Sequence, residues 1–203
     1  HVRAEVAALA AHMPRRLAAA VTLAAWSGLR AGELFALARR HIDLEARTVT
    51  VERALVEVRG QAPTFGTPKT VKSRRTVTLP GFVAEALRTH LDEFTAPDPA
   101  ALVFTLDDGA PVSSTRRSAL FGTARRAIDR TDLTWHDLRH TGATLAYRAG
   151  ASVPEVQRRL GHTTMRAAQT YAHAADDSDR VLADRLDDLY ADAATAPKLR
   201  AVS

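Results

Sequence analysis

The segment TWHDLRHTGATL, residues 134–145, has the apolar spacing of an amphipathic helix and carries polar side chains that can do chemistry. His136 and Arg139 are three residues apart, so a helix presents them on one face. Asp137 points elsewhere, and His140 lies round the helix from Arg139. A histidine and an arginine that share a helix face are more often structural than functional, so their role depends on partners elsewhere in the chain.

Helical spacing of apolar residues continues over most of the chain. Pro14 stands in the first-turn position that a helix tolerates, and Gly161 follows a helical segment as the usual C-terminal stop. The pattern predicts helices over residues 2–13, 14–27, 30–40, 81–95, 113–129, 135–149, 154–160, 163–173 and 177–190.

The apolar period changes to strict alternation in the second quarter of the chain. TVTVERALVEV, residues 48–58, is typical of one strand, or of two strands with a turn, and RRTVTLP, residues 74–80, of another. The glycines and prolines of residues 60–73 indicate turns between them. The predicted fold is therefore mainly α with a small antiparallel β-sheet (α+β), and Lys69 and Lys72 lie on or beside its last turn.

Composition limits the possible functions. The chain has 203 residues, 46% of them hydrophobic, and it contains no cysteine, so disulfides, thiolate chemistry and cysteine-ligated metals are excluded. The longest apolar run, residues 17–26, is shorter than the roughly 20 residues that span a bilayer. The net charge of +5 divides into −3 from Asp176 onward and +8 before it. A basic body favours a polyanionic partner, although charge alone supports nucleic acid only modestly.

Lysine is rare in this chain. Only three of the 28 basic residues are lysines, and two of them, Lys69 and Lys72, lie in the same turn-rich segment. A lysine on a hairpin turn is usually just solvated. Arginine, however, cannot release a proton, whereas lysine can when its neighbours lower its pKa. A site that needs a cationic proton donor would keep lysine even in an arginine-rich chain.

Two further segments carry reactive side chains. SGLRAGEL, residues 27–34, places Arg30 after a glycine break and Glu33 three residues later, a pair that on its own is most simply a surface ion pair. LGHTTMRAAQTYAH, residues 160–173, places Tyr171 nine residues after His162. A tyrosine on a short helix is usually a core residue, and His173 has no evident role.

Taken together these residues suit phosphoryl transfer better than any structural purpose. Arginine binds phosphate oxygens in bidentate fashion, histidine moves protons, lysine can protonate a leaving oxygen, and tyrosine can form a covalent phosphoenzyme. The chain has no glycine-rich Walker loop, so nucleotide hydrolysis is not expected.

The ordered set SGLRAGEL, PKTVKSRRTVTL, HDLRHTGAT, LGH and TYAH resembles the tyrosine recombinase family, the phage-integrase type of site-specific DNA recombinase. The resemblance covers roughly residues 14–173 and implies that family's catalytic-domain fold. It implies Glu33 as a supporting acid. It also implies a catalytic set and a DNA-binding set. The catalytic set is Arg30, Lys69, His136, Arg139, His162 and Tyr171. The DNA-binding set is Lys72, Arg74, Arg75, Arg116 and Arg117.

The resemblance implies a mechanism without metal, ATP or other cofactor. Tyr171 attacks a DNA phosphate to give a 3′-phosphotyrosyl link, and Lys69 protonates the departing 5′-oxygen. A partner strand's 5′-hydroxyl then resolves the link, which completes strand exchange. Two alternatives remain: relaxation of DNA by a type IB topoisomerase, and a DNA-binding regulator that keeps the fold without catalysis.

The resemblance also predicts the organisation of the chain. Residues 1–175 would form the catalytic domain and residues 176–203 a C-terminal amphipathic helix with a loose tail, while the family's N-terminal core-binding domain is absent from this chain. The expected partners are double-stranded DNA and, on DNA, further copies forming a tetramer. Residues 177–190 would contact a neighbouring copy or, equally well, pack on their own body. The expected location is the cytoplasm of a bacterium, with the nucleoid, and no membrane.

Overall fold

The computed structural model is mainly helical over the residues that it describes, which are 2–57, 63–66 and 74–161. Its helices in chain order are α1 Val2–Ala11, α2 Arg15–Ser27, α3 Ala31–Leu34, α4 Gly81–Phe94, α5 Ser114–Ala127, α6 Trp135–Arg148 and α7 Val153–Leu160, with a short 3₁₀ turn at Arg39–His41. The helices predicted over 163–173 and 177–190, and the domain boundary after residue 175, lie outside the described residues.

The strands form two small antiparallel sheets. They are β1 Ile42–Asp43, β2 Thr48–Val51, β3 Ala54–Val56, β4 Thr64–Gly66 and β5 Arg75–Thr78. One sheet has the order β1-β2-β5, with Val49 opposite Val77 at its centre, and β3 pairs with β4 in a separate hairpin. Alternating burial along β2 and β5 matches the predicted period of two. The sequence missed β1 and β4, which are only two and three residues long.

The helix predicted over residues 30–40 is wrong beyond Leu34. Helical bonding tightens there, because Leu37 N–H donates to Leu34 three residues back. The chain then pairs with a distant segment: Arg39 N–H donates to the carbonyl of Ala101, and Val103 N–H donates to that of Leu37. This long-range pairing overrides a local apolar spacing that fits a helix.

Helix α2 lies at the centre of the core and packs against α1, α4 and α6. Its side chains Leu17, Val21 and Leu23 are buried in the core, and each is at most 1% exposed. A buried leucine or valine side chain contributes about 1.5–3 kcal/mol, so this helix forms a rigid base for the turn at its C-terminal end. A smaller cluster of Ala143, Tyr147, Val156 and Leu160 joins α6 to α7.

Two glycines let α6 approach the end of α2 very closely. Gly28 ends α2 in the left-handed region, at φ 71°. A side chain at Gly142 would lie 2.9 Å from the backbone nitrogen of Gly28 and 3.1 Å from the carbonyl of Ala25. The turn after α2 therefore rests directly on the backbone of α6. None of the helices in the part of the chain described is long and apolar enough to cross a membrane.

Candidate active site

The start of α6 is set by a reciprocal cap. Thr134 Oγ1 accepts a hydrogen bond from His136 N–H, and Asp137 Oδ2 accepts from both the N–H and the hydroxyl of Thr134, at 2.7 and 2.6 Å. Asp137 is thus a capping residue, which explains why it points away from the face of His136. The cap fixes that face at the first two turns of the helix.

Arg139 is only 2% exposed and joins two distant parts of the chain. Its Nη1 donates to the carbonyl of Gly28 at 2.6 Å, and its Nη2 donates to that of Leu160 at 2.7 Å. Buried charged groups need such partners, because desolvation without hydrogen bonds is costly. Arg139 therefore ties the turn after α2 to the end of α7.

Arg30 reaches the same place from another direction. It precedes α3, and its side chain is 44% exposed. Its Nη2 lies 3.3 Å from the carbonyl of Gly161, the residue that follows Leu160. The two arginines thus bind consecutive carbonyls at the C-terminal end of α7, where the helix dipole favours positive charge. Three motifs that are far apart in sequence meet at this corner, one residue before His162.

Glu33 supports Arg30 from a buried position. Its side chain is 5% exposed, and it accepts from Arg30 and from Arg75, whose Nη2 lies 2.7 Å from Glu33 Oε2. Burial would raise the pKa of the Glu33 carboxyl, but hydrogen bonds and charges from Arg75 and Arg30 outweigh it and hold the pKa below its usual value. Glu33 is therefore ionised at neutral pH.

His136 lies on the exposed side of this cluster. Its ring is 4.4 Å from that of His140 and perpendicular to it. Partial burial and the neighbouring charges of His140, Arg139 and Arg30 lower the pKa of His136, against a smaller opposing effect of Asp137. The imidazole is thus neutral at pH 7 and can accept a proton.

The structure brings together four of the predicted site residues. Arg30, Glu33, His136 and Arg139 converge at one corner. Lys69, Lys72, His162 and Tyr171 lie outside the described residues. Arg74 and Arg116 are exposed, as DNA contacts require.

Arg75 and Arg117, which were expected to contact DNA, lie largely buried in the structure. The Arg75 side chain is 5% exposed and bonded to Glu33. The Arg117 side chain is 13% exposed, lies 3.9 Å from Glu57 and stacks over the ring of Phe35. Both guanidinium groups therefore have partners within the protein itself.

Sequence reasoning missed Arg159. Its Nη1 donates to the carbonyl of Thr78 at 3.0 Å and its Nη2 to that of Trp26 at 2.8 Å, so it joins α7 to β5 and α2. Burial lowers the pKa of its guanidinium. No sequence signal distinguishes it from neighbouring Arg158, because the partners are backbone carbonyls that only the fold brings near. Across the described ranges, no group of three or more His, Asp or Glu side chains is arranged to hold a metal.

A profile of the phage integrase family matches residues 3–178, which include every motif of the site. The chain belongs to this family. A putative prophage phiRv2 integrase of Mycobacterium tuberculosis is 38% identical over 179 residues, covering 87% of this chain and 48% of the relative. The integrase of Mycobacterium phage FRAT1 is 39% identical over 174 residues, covering 84% and 52%. The chain therefore spans about half the length of these curated relatives.

Solved structures of family members share the fold. The integrase of the Tn1549 transposon, in complex with transposon right end DNA, has a TM-score of 0.71 at 25% identity, covering 85% of this chain and 59% of that one. The XerA recombinase has a TM-score of 0.68 at 22% identity, covering 90% and 61%. These likenesses confirm the predicted mainly helical fold with a small antiparallel sheet.

Proposed function

We propose that this chain is the catalytic domain of a site-specific DNA recombinase, or integrase, that cleaves and exchanges strands through a 3′-phosphotyrosyl link at Tyr171. One observation carries the proposal: Arg30 and Arg139 meet at the end of α7, immediately before His162. Tyr171 follows nine residues later. Two arginines that converge at one point suit the binding of a single phosphate.

The arginines stabilise the negative charge that develops on the phosphate oxygens. In the free protein their terminal nitrogens bind the carbonyls of Leu160 and Gly161. Arg30 keeps its side chain 44% exposed, so its guanidinium can donate to a nonbridging oxygen of a bound phosphate, while the positive charge of buried Arg139 acts from behind it. Preorganised donors of this kind supply the largest share of many enzymes' rate enhancement, because they need no reorganisation as charge develops.

Proton transfer falls to the other members of the set. The lowered pKa of His136 leaves it neutral, so it can accept the proton of the Tyr171 hydroxyl as the tyrosine oxygen bonds to phosphorus. Lys69 donates a proton to the departing 5′-oxygen, and His162 binds a phosphate oxygen. A 5′-hydroxyl of the partner strand then attacks phosphorus and gives its proton to Lys69, while His136 returns a proton to the departing Tyr171 oxygen.

Tyr171 is a better nucleophile candidate than Tyr147. The chain has three tyrosines, and Tyr147 is 8% exposed in the cluster between α6 and α7. Burial raises the pKa of its hydroxyl, which makes it harder to deprotonate.

We further propose that the chain assembles as a tetramer on DNA, in which residues 177–190 of one copy dock on another. A groove of about 560 Å³ on the described body is a candidate acceptor, because Trp26, Pro80, Leu145 and Ala146 give it an apolar lining. The spacing of Leu182, Leu186 and Leu189 in the segment is amphipathic. Given its mycobacterial and phage relatives, we expect the protein to act on bacterial nucleoid DNA in the cytoplasm.

Covalent trapping tests the proposed reaction. The chain is incubated with nicked suicide duplexes tiled across the genomic DNA that flanks its coding sequence, and adducts are separated on denaturing gels. We expect one duplex to yield an adduct with the wild type and with Tyr190→Phe, but not with Tyr171→Phe. No adduct with any duplex would reject the enzyme and favour a DNA-binding regulator. Relaxation of supercoiled plasmid without strand exchange between duplexes would favour a type IB topoisomerase.

A further inference from the structure

Glu33 is saturated with hydrogen bonds from two arginines. Its Oε1 accepts from Arg30 Nη1 and from Arg75 Nη1, both at 3.0 Å. Its Oε2 accepts from the backbone N–H of Arg30 at 2.8 Å and from Arg75 Nη2 at 2.7 Å. Arg75 therefore donates to both carboxylate oxygens, through Nη1 and Nη2. The Arg30 side chain donates through Nη1 alone and remains 44% exposed.

Arg75 also contacts the corner where the two phosphate-binding arginines meet. Its Nε donates to the carbonyl of Arg159 at 2.8 Å. A Cβ built on Gly161 would lie 2.8 Å from Arg75 Nη1, so the guanidinium packs flat against this glycine. The carbonyls of Leu160 and Gly161 are the partners of Arg139 and Arg30. The buried side chain of Arg75 therefore contacts both Glu33, which supports Arg30, and the backbone at the end of α7, to which Arg30 is hydrogen-bonded.

We propose that Arg75 is a positioning residue of the active site, which fixes Glu33 and the end of α7 so that Arg30 stands beside Arg139 with its charge available to the phosphate. This proposal rests on the proposed function. It gives Arg75 a role other than the DNA contact expected from the sequence. Arg75 acts through Glu33 and never touches the substrate.

The charges explain why a second arginine is needed. Glu33 and Arg30 alone form a neutral pair, which would attract a phosphate poorly and would draw Arg30 inward. Arg75 compensates the carboxylate, so the three groups together keep one net positive charge at the exposed end of Arg30. A lysine at position 75 could supply the positive charge but not the bidentate hydrogen bonds to both carboxylate oxygens of Glu33.

Variants at Arg75 separate positioning from plain stability. Arg75→Met keeps much of the aliphatic part of the side chain and removes the charged guanidinium group. Arg75→Lys restores the positive charge without the planar guanidinium. Arg159→Met is the control, because the Arg159 side chain also joins α7 to β5 through a bond to a backbone carbonyl, but no hydrogen bond joins it to Glu33. Glu33→Gln combined with Arg75→Met removes the carboxylate charge that Arg75 would have compensated. Thermal unfolding of every variant establishes that it is folded.

The first readout is the rate of adduct formation on the suicide duplex, measured against DNA concentration. We expect Arg75→Met to lower the rate at saturating DNA on the order of 100-fold, as a small misplacement of a reacting group does, with little change in the half-saturating concentration. Arg75→Lys should recover part of this loss, and the double variant should cleave faster than Arg75→Met alone. An Arg75→Met rate no lower than that of Arg159→Met would overturn the proposal.

The second readout does not depend on cleavage. Inorganic phosphate is titrated into the chain while NMR follows the arginine side-chain N–H signals. Arg75→Met should need a higher phosphate concentration to shift the Arg30 signal than the wild type or Arg159→Met. If no duplex is cleaved but this difference is seen, the recombinase proposal fails and the positioning role stands. Equal phosphate affinity in Arg75→Met and Arg159→Met would reject the positioning role in either case.

Discussion

Single side chains at this site each join parts of the chain that are far apart. Arg139 links the turn after α2 to the end of α7, and Arg75 links β5 to the same end and to Glu33. Arginine suits both positions, because it stays charged when buried and offers several donors in a fixed plane. The site is thus organised by hydrogen bonds to backbone carbonyls, whose positions depend on the fold around them.

Arg139→Lys should damage both folding and cleavage. A lysine ammonium lacks the planar fork that reaches the carbonyls of Gly28 and Leu160 together. We expect a loss of roughly 1–3 kcal/mol in the free energy of unfolding, measured by urea titration, and a large fall in adduct formation. Arg148→Lys, an exposed position on the same helix, is the control. Equal stability of the two variants would contradict the structural role of Arg139.

Gly161→Ala should disturb the site more than a simple backbone penalty explains. The residue has φ 64°, a conformation that costs an L-residue about 1–2 kcal/mol, and its Cβ would also meet Arg75. Gly109 has φ 80° with nothing within 4 Å, so Gly109→Ala measures the backbone penalty alone. We expect Gly161→Ala to lose more stability than this control and also to cleave more slowly. A loss equal to that of Gly109→Ala would show that the Arg75 contact is unimportant.

At the scale of elements, the crossing of α2 and α6 decides the geometry of the site. Gly142 allows the two helices to touch, so that Arg139 on α6 reaches the carbonyl of Gly28. The predicted helix boundaries near this crossing hold because caps mark them, with Thr134 opening α6 and Gly28 closing α2. The boundary after α3 was wrong because no local signal announces pairing with residues 101–103.

Gly142→Ala should push α6 away from α2. Its Cβ would approach the backbone of Gly28 to 2.9 Å, and backbone cannot move aside cheaply. We expect a destabilisation of about 1–3 kcal/mol, the usual cost of overpacking, by urea titration. Gly122→Ala in α5 meets only the tip of Arg126 at 3.6 Å and should instead gain up to about 1 kcal/mol from helix propensity. If both substitutions stabilise the protein, the close crossing is not as tight as described.

For the molecule as a whole, the residue types of the candidate site could be predicted from the sequence. The side chains and carbonyls that the fold brings into contact with them could not. The sequence singled out Arg30, His136 and Arg139 as residue types suited to phosphate, and the family resemblance added Glu33. The structure places these four residues together. The sequence assigned Arg75 to DNA because an arginine beside a turn has the same local pattern whether it faces solvent or a buried carboxylate. That difference is decided by packing across residues that are 42 positions apart.

Acid should destabilise the whole molecule through His90. The ring is 3% exposed, its Nε2 lies 2.7 Å from the carbonyl of Val103, and its buried Nδ1 has no partner in the structure described. Burial, together with the charge of Arg16, lowers the pKa of His90 below 6.5, despite an opposing effect of the Val103 hydrogen bond. The unfolded chain therefore binds the proton more readily, and stability falls as the pH drops from 6.5 towards the folded-state pKa.

Urea unfolding between pH 7.5 and about pH 5 measures this dependence. His90→Gln cannot titrate, so its stability should change less with pH over this range than that of the wild type. His12→Gln, at an exposed position, is the control substitution. A His90→Gln profile parallel to the wild type would show that His90 has the same pKa in the folded and unfolded chains.

We expect Tyr171 to become joined to DNA at the corner formed by Arg30 and Arg139. Mass spectrometry of the trapped adduct, after nuclease trimming and proteolysis, identifies the modified residue directly. We predict a nucleotide linked through its 3′-phosphate to Tyr171. A nucleotide found on Tyr147, on Tyr190 or on any other side chain, or one linked through its 5′-phosphate, would contradict this claim.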